Sequence, residues 1–136
     1  SCDISHNRLS QPPSSLFSLT GLASLKLSHN ALTLSGVTWP ALSSLTRLTL
    51  LSMDHNQLEG PLPSHISALP SLKVLNLSHN QITELPHEIT QITGLELLDV
   101  SDNALSGCLP AFMGGATALV ELAADGNRLA ALPGEL

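Results

Sequence analysis

Apolar residues along the chain keep to one phrase and repeat it. In Leu72-Lys73-Val74-Leu75-Asn76-Leu77-Ser78-His79-Asn80-Gln81-Ile82, leucines stand at offsets 1, 4 and 6, asparagine at 9 and isoleucine at 11. The same spacing returns at Leu22–Leu32, Leu48–Leu58, Leu95–Leu105 and Leu119–Leu129. Its second half opens the chain as Cys2-Asp3-Ile4-Ser5-His6-Asn7-Arg8-Leu9. The asparagines Asn7, Asn30, Asn56, Asn80, Asn103 and Asn127 follow one another at 23, 26, 24, 23 and 24 residues. Around each middle leucine, apolar and outward positions alternate with period 2. The alternation predicts short strands at Ser24–Lys26, Leu50–Ser52, Val74–Asn76, Leu97–Asp99 and Glu121–Ala123, in which Leu75 and Leu77 face a core while Val74 and Asn76 face out.

A period of 20–29 residues carrying L-x-x-L-x-L-x-x-N-x-L resembles the leucine-rich-repeat family, and here the resemblance covers essentially the whole chain. It implies an α/β fold: a short right-handed solenoid with a concave parallel β-sheet and a convex side of loops and short helical turns. Four full repeats are expected at 22–47, 48–71, 72–94 and 95–118, with partial repeats at 1–21 and 119–136, all in one domain. After each strand the chain must turn. A buried Asn offers two donors and an acceptor to the backbone groups that the turn leaves unpaired, so the six asparagines are expected to form a structural ladder.

The return segments fall into two types. Asn56-Gln57-Leu58-Glu59-Gly60-Pro61-Leu62-Pro63 and Asn103-Ala104-Leu105-Ser106-Gly107-Cys108-Leu109-Pro110 resemble the plant-type N-x-L-x-G-x-I-P motif, which implies a second short strand before the proline. Asn80-Gln81-Ile82-Thr83-Glu84-Leu85-Pro86 and Asn127-Arg128-Leu129-Ala130-Ala131-Leu132-Pro133 resemble the shorter N-x-L-x-x-L-P class of intracellular proteins. There the proline fits the first turn of a short helix. Convex helical turns are expected at Ser14–Leu19, Pro40–Leu45, Ser64–Leu69, Glu88–Ile92 and Ala111–Thr117. The 26-residue repeat carries a longer link, Leu34-Ser35-Gly36-Val37-Thr38-Trp39-Pro40. Trp39 is expected to pack across the convex edge of this wider layer; the alternative is an exposed anchor for a partner.

Composition agrees with stacked layers rather than one globular centre. Of 136 residues thirty are leucine, and Trp, Phe and Tyr total three. The chain opens in mid-repeat and closes at Pro133-Gly134-Glu135-Leu136 without a polar closing element, so it is expected to be an uncapped segment of a longer chain or larger assembly. Ser1-Cys2-Asp3-Ile4 has no basic start, and no apolar run approaches the roughly 20 residues of a membrane span, so no membrane insertion by this segment is expected. Cys2 and Cys108 should lie about 20 Å apart across the stack, beyond disulfide reach. Two unpaired thiols point to a cytoplasmic, reducing location; the alternative is extracellular. Asn76-Leu77-Ser78 is a formal glycosylation sequon, but Asn76 falls on a strand.

The net charge of −6 is uneven. Residues 1–70 balance three bases against three acids, whereas residues 71–136 set Lys73 and Arg128 against eight acids. This argues against nucleic acid and against an anionic membrane surface.

The catalytic search is negative, and no enzymatic activity, cofactor or metal is expected. The chain holds no G-x-S-x-G, Walker A, G-x-G-x-x-G or C-x-x-C motif, and His87-Glu88 lacks the second histidine of H-E-x-x-H because Gln91 stands there. Repetition does turn each offset into a surface row. The row before the asparagines reads His6, His29, His55, His79, Asp102, Gly126. Imidazoles in line suit a metal site or a pH sensor. The simpler reading is a turn position that accepts small or polar residues, S-H-N being frequent in the family, and a line is poor geometry for tetrahedral zinc.

Two outward rows bear on binding. One reads Ser24, Leu50, Val74, Leu97, Glu121; the other Asp3, Lys26, Ser52, Asn76, Asp99, Ala123. Leu50, Val74 and Leu97 should form an apolar stripe, with Glu96, Asp99, Asp102, Glu121 and Asp125 as an acidic zone beside it. An apolar patch rimmed by charge marks an interaction site. The expected function is therefore a protein-interaction scaffold binding an apolar segment with basic flanks through Leu50, Val74, Asn76, Leu97, Asp99, Asp102 and Glu121. The alternatives are a ligand-sensing ectodomain segment of a plant-like receptor, a regulatory array of a multidomain enzyme, and a purely architectural role inside a complex.

Overall fold

A computed structural model of the chain describes residues 1–111 and 118–131. Six strands form one parallel sheet: β1 (Cys2–Asp3), β2 (Ser24–Lys26), β3 (Leu50–Ser52), β5 (Val74–Asn76), β7 (Leu97–Asp99) and β9 (Glu121–Ala123), hydrogen-bonded in that order. The register is constant. Cys2, Leu25, Leu51, Leu75, Leu98 and Leu122 stand side by side, as do Ser24, Leu50, Val74, Leu97 and Glu121. A one-residue slip in any layer would turn its leucines outward, so the alternation itself fixes the pairing.

The core is a stack of leucine layers. Leu25, Leu51, Leu75 and Leu98 have no exposed surface, and neither do Leu32, Leu58 and Ile82 at the far side of the turn. The first and last layers are covered on one face only, which leaves Cys2, Leu9, Leu122 and Leu129 half-buried.

Four further strands lie on the return path: β4 (Glu59–Pro61), β6 (Gln81–Glu84), β8 (Ser106–Cys108) and β10 (Arg128–Ala131). They form two parallel pairs, β4 with β6 and β8 with β10. A second strand had been expected only in the two glycine-containing repeats. A lone strand leaves its N–H and C=O groups unpaired, and each finds its partner in the next repeat, of the shorter class. Gln81 N–H thus donates to Leu58 O at 2.8 Å, Leu62 N–H to Glu84 O at 2.9 Å and Arg128 N–H to Leu105 O at 2.8 Å. Gly60 and Gly107 adopt φ of +98° and +72°, a left-handed conformation that glycine enters without penalty.

The convex turns are shorter and tighter than an α-helical reading suggests. Ser14–Ser18, Ser64–Ala68 and His87–Gln91 are 3-10 turns, and among the described residues only Trp39–Leu42 is α-helical (α1). Pro13, Pro63 and Pro86 sit just before these turns rather than inside them, and Pro63 and Pro86 have extended ψ of 145°. Their carbonyls accept the first turn bond, as from Ile66 N–H at 3.2 Å and Ile89 N–H at 3.1 Å. The turn expected at Ala111–Thr117 falls almost wholly outside the described residues, as do the closing residues 132–136. Trp39 is buried, and its Nε1–H donates to Leu34 O at 3.0 Å, so it packs inside the long link and offers no anchor to a partner. Gly36 in the same link lies against the Ser10 carbonyl, where a Cβ would collide.

The layers are joined by asparagine side chains. Oδ1 of Asn30, Asn56, Asn80, Asn103 and Asn127 accepts from the backbone N–H of Leu9, Leu32, Leu58, Ile82 and Leu105 in the preceding layer, at 3.0–3.1 Å. Their Nδ2 groups donate back to Ile4, Leu27, Met53, Leu77 and Val100 of that layer, at 2.9–3.1 Å. Each asparagine also ties its own turn, as Asn80 does with Leu77 O at 3.0 Å and Ser78 O at 3.1 Å. Asn56 and Asn80 are buried and Asn30, Asn103 and Asn127 half-buried. Asn7 is exposed and bonds only within its own turn.

Asn80→Ala should therefore strip partners from several buried backbone groups and destabilise the chain by about 2–4 kcal/mol. Asn7→Ala should stay within about 0.5 kcal/mol of the parent. Urea unfolding midpoints of the two variants measure this contrast.

Candidate functional site

Five of the six positions before the ladder asparagines are occupied by residues other than glycine, and all six are left-handed. His6, His29, His55, His79 and Asp102 have φ of 49–56°, and Gly126 has +66°. Only Gly, and to a lesser degree Asn, Asp and His, adopt this region readily. The row is thus explained first by backbone geometry. At Gly126 a Cβ would meet the Asp102 carboxylate, which would have to move aside.

The four imidazoles stack face to face, with ring centroids 4.3, 4.1 and 4.0 Å apart and planes within 14°. All are exposed. Desolvation lowers the pKa of His55, and the neighbouring His79 and His29 lower it further, against smaller opposing effects from Asp54 and Asp102. His79 Nε2 lies 3.5 Å from Asp102 Oδ2.

Next to this row lies a carboxylate that the row taken alone does not reveal. Asp54 stands where four other repeats carry Ser5, Ser28, Ser78 and Ser101. Its Oδ1 accepts from Ser28 Oγ at 2.5 Å and Ser52 Oγ at 2.6 Å. Partial burial raises the Asp54 pKa, but these two hydroxyls outweigh it and the net shift is downward. A donor atom from each of His29, Asp54 and His55 lies within 4.8 Å of the other two. The sequence signal was available: the Asp-His pair at 54–55 sits one layer after a Ser-His pair, and two rows must be read together to see it.

The concave rows are brought together by the sheet register. Leu50, Val74 and Leu97 adjoin one another and are half-buried rather than fully exposed. Glu121 continues the row and is exposed. In the next row, Asn76 Oδ1 accepts from Ser78 N–H at 3.0 Å and Ser78 Oγ at 2.7 Å. Asp99 Oδ1 accepts from Ser101 N–H at 3.0 Å and from the Ser101 hydroxyl. These two side chains therefore shape the turn as well as facing the concave side. In the acidic zone Glu96 is paired with Lys73 at 2.8 Å, an exposed bridge of small energetic weight. Among the described residues no cation pairs with Asp99, Glu121 or Asp125.

Residues 27–136 match the family model described as a leucine-rich repeat region. The chain belongs to the leucine-rich-repeat family. Among curated relatives, the chain is 38% identical over 87 residues to leucine-rich repeat serine/threonine-protein kinase 1 of Caenorhabditis elegans, covering 64% of this chain and 4% of the kinase. Among solved structures, a leucine-rich-repeat protein of Leptospira interrogans superposes with a TM-score of 0.88 at 36% identity, over 97% of this chain and 32% of that one. A plant peptide hormone receptor, RGFR1, in complex with RGF2 superposes with a TM-score of 0.78 at 32% identity, over 94% of this chain and 20% of the receptor. The leucine-rich-repeat chain thus spans a small part of the length of these relatives. Leucine-rich-repeat domains are typically non-catalytic protein-interaction modules. No helix among the described residues is long and apolar enough to cross a membrane.

If the left-handed backbone explains the histidine row, His79→Gly should leave stability unchanged or slightly raised. His79→Val, β-branched in a left-handed position, should cost about 1–2 kcal/mol or more. Thermal unfolding of the two variants checks this.

Proposed function

We propose that the chain takes a protein segment on its concave face, an apolar centre resting on Leu50, Val74 and Leu97 and basic flanks meeting Asp99, Asp102 and Glu121. Asn76 contributes an amide beside the stripe. The observation that carries this reading is the side-by-side register of Leu50, Val74 and Leu97 next to Asp99 and Glu121, with which no cation pairs among the described residues. The half-buried Leu50, Val74 and Leu97 give a shallow contact surface on a sheet that the asparagine ladder holds in place, so little ordering entropy is lost on binding. The free thiols of Cys2 and Cys108 favour a reducing compartment such as the cytoplasm.

A second reading has its own observation. The β4 and β8 strands of the two glycine-containing repeats match the plant-type motif, and a plant receptor bound to its peptide shares the fold. On this reading the chain is a segment of a peptide-sensing ectodomain. The concave stripe then receives a peptide hormone rather than an intracellular partner.

Panning a displayed peptide library against the chain should enrich segments with an apolar centre and Lys or Arg on both sides. Leu97→Glu should weaken the selected peptides at least tenfold, about 1.4 kcal/mol. Asp99→Asn keeps the hydrogen bonds to Ser101, as Asn76 does one layer earlier, and should weaken only the basic-flanked peptides. Enrichment of acidic peptides, or affinity within twofold of the parent for Leu97→Glu, would place the docking surface elsewhere.

A further inference from the structure

We propose that His29, Asp54 and His55 form a binding site for a divalent late transition-metal ion, with zinc and copper as the matching class. The three donors come from two adjacent layers, and their ligand atoms lie within 4.8 Å of one another. Asp54 lies off the line of the imidazoles, so the set is a triangle rather than a row. This removes the geometric objection that applies to histidines in line. Two imidazoles and one carboxylate are the mixed N/O set of open zinc sites, which leave a further position to water or to a group from outside. Magnesium and calcium, which take all-oxygen sets, do not match it.

The carboxylate is held as metal-ligating carboxylates are held. Ser28 Oγ and Ser52 Oγ both donate to Oδ1 of Asp54, which fixes its plane and leaves Oδ2 without a donor among the described residues. Such outer hydrogen bonds orient ligands and tune their affinity. The rings of His29 and His55 make no hydrogen bond among the described residues, so their nitrogens are uncommitted, whereas His79 faces Asp102 at 3.5 Å. The site stands at the centre of the stacked row, between His6 and His79, and is open to solvent.

Coordination requires one movement. Stacked rings 4.1 Å apart point their lone pairs in parallel, whereas donors on a tetrahedral zinc ion stand about 3.4 Å apart and converge. Rotation about Cβ–Cγ of two exposed imidazoles supplies this tilt, because that torsion is broad. The left-handed backbone at both histidines stays as it is. The ion therefore bridges two repeats and adds a cross-link between layers where the ladder already joins them. This inference does not depend on the concave docking surface.

The test is isothermal titration of the chain with zinc sulfate at neutral pH, with magnesium as control. One zinc ion per chain should bind in the micromolar range, and magnesium should give no heat. His55→Asn, which keeps a residue tolerant of the left-handed backbone, and Asp54→Asn should each weaken zinc at least tenfold. Ser52→Ala, which touches only the support of the carboxylate, should weaken it by about tenfold. His65→Gln with His87→Gln, on the convex side, should bind as the parent does. Ring resonances of the parent add a readout independent of any variant: zinc should shift His29 and His55 most. No binding up to about 100 μM zinc, affinity unchanged in His55→Asn, or shifts confined to His65 and His87 would overturn the proposal.

Discussion

The structure depends on a hydrogen-bond exchange between layers, made by one asparagine per repeat. A solenoid has no long-range packing to hold its shape, so every layer must be registered on its neighbour alone. Asn30 through Asn127 do this with one acceptor and one donor reaching back a layer and further bonds closing their own turn. The turn that carries them demands a left-handed residue just before the asparagine, which accounts for the run of histidines, aspartate and glycine there. Leucine burial supplies the bulk of the stabilisation. The alternation of leucines sets the register, and the asparagines lock neighbouring layers together in it.

Once the register is set, each offset in the repeat becomes a row, and rows divide by task. Leu25, Leu51, Leu75 and Leu98 build the core. Asn76 and Asp99 serve twice, holding the turn through Ser78 and Ser101 while facing the concave side. Leu50, Val74 and Leu97 are free of structural duty in the turn, and their half-burial gives a surface that is apolar without being strongly exposed. Function on this fold rests on residues that the repeat does not constrain.

Strands β2, β3, β5, β7 and β9 were legible because period-2 alternation within a repeated phrase is local information. The β6 and β10 strands were not. They exist through pairing with β4 and β8 in the preceding repeat, and the sequence classes of the two return segments point apart. Trp39 could be read either way from sequence, since a long link accommodates a buried or an exposed ring; the Leu34 carbonyl within reach of its indole N–H favours burial. At the histidine row, the sequence showed four imidazoles in line, but the Asp54 carboxylate lies in a neighbouring row and is positioned by hydroxyls from two repeats. Juxtapositions across rows depend on the register, which no single phrase contains.

The central claim is that the asparagine ladder, rather than strand pairing alone, locks the layers together. Native-state hydrogen exchange addresses it directly at the backbone N–H groups of Leu32, Leu58 and Ile82, whose acceptors are the side chains of Asn56, Asn80 and Asn103. The account predicts that these amides exchange as slowly as those of Leu51 and Leu75 in the sheet, opening only when whole layers separate. Exchange at Leu32, Leu58 and Ile82 as fast as at the exposed amide of Gln11, with the sheet still protected, would contradict it.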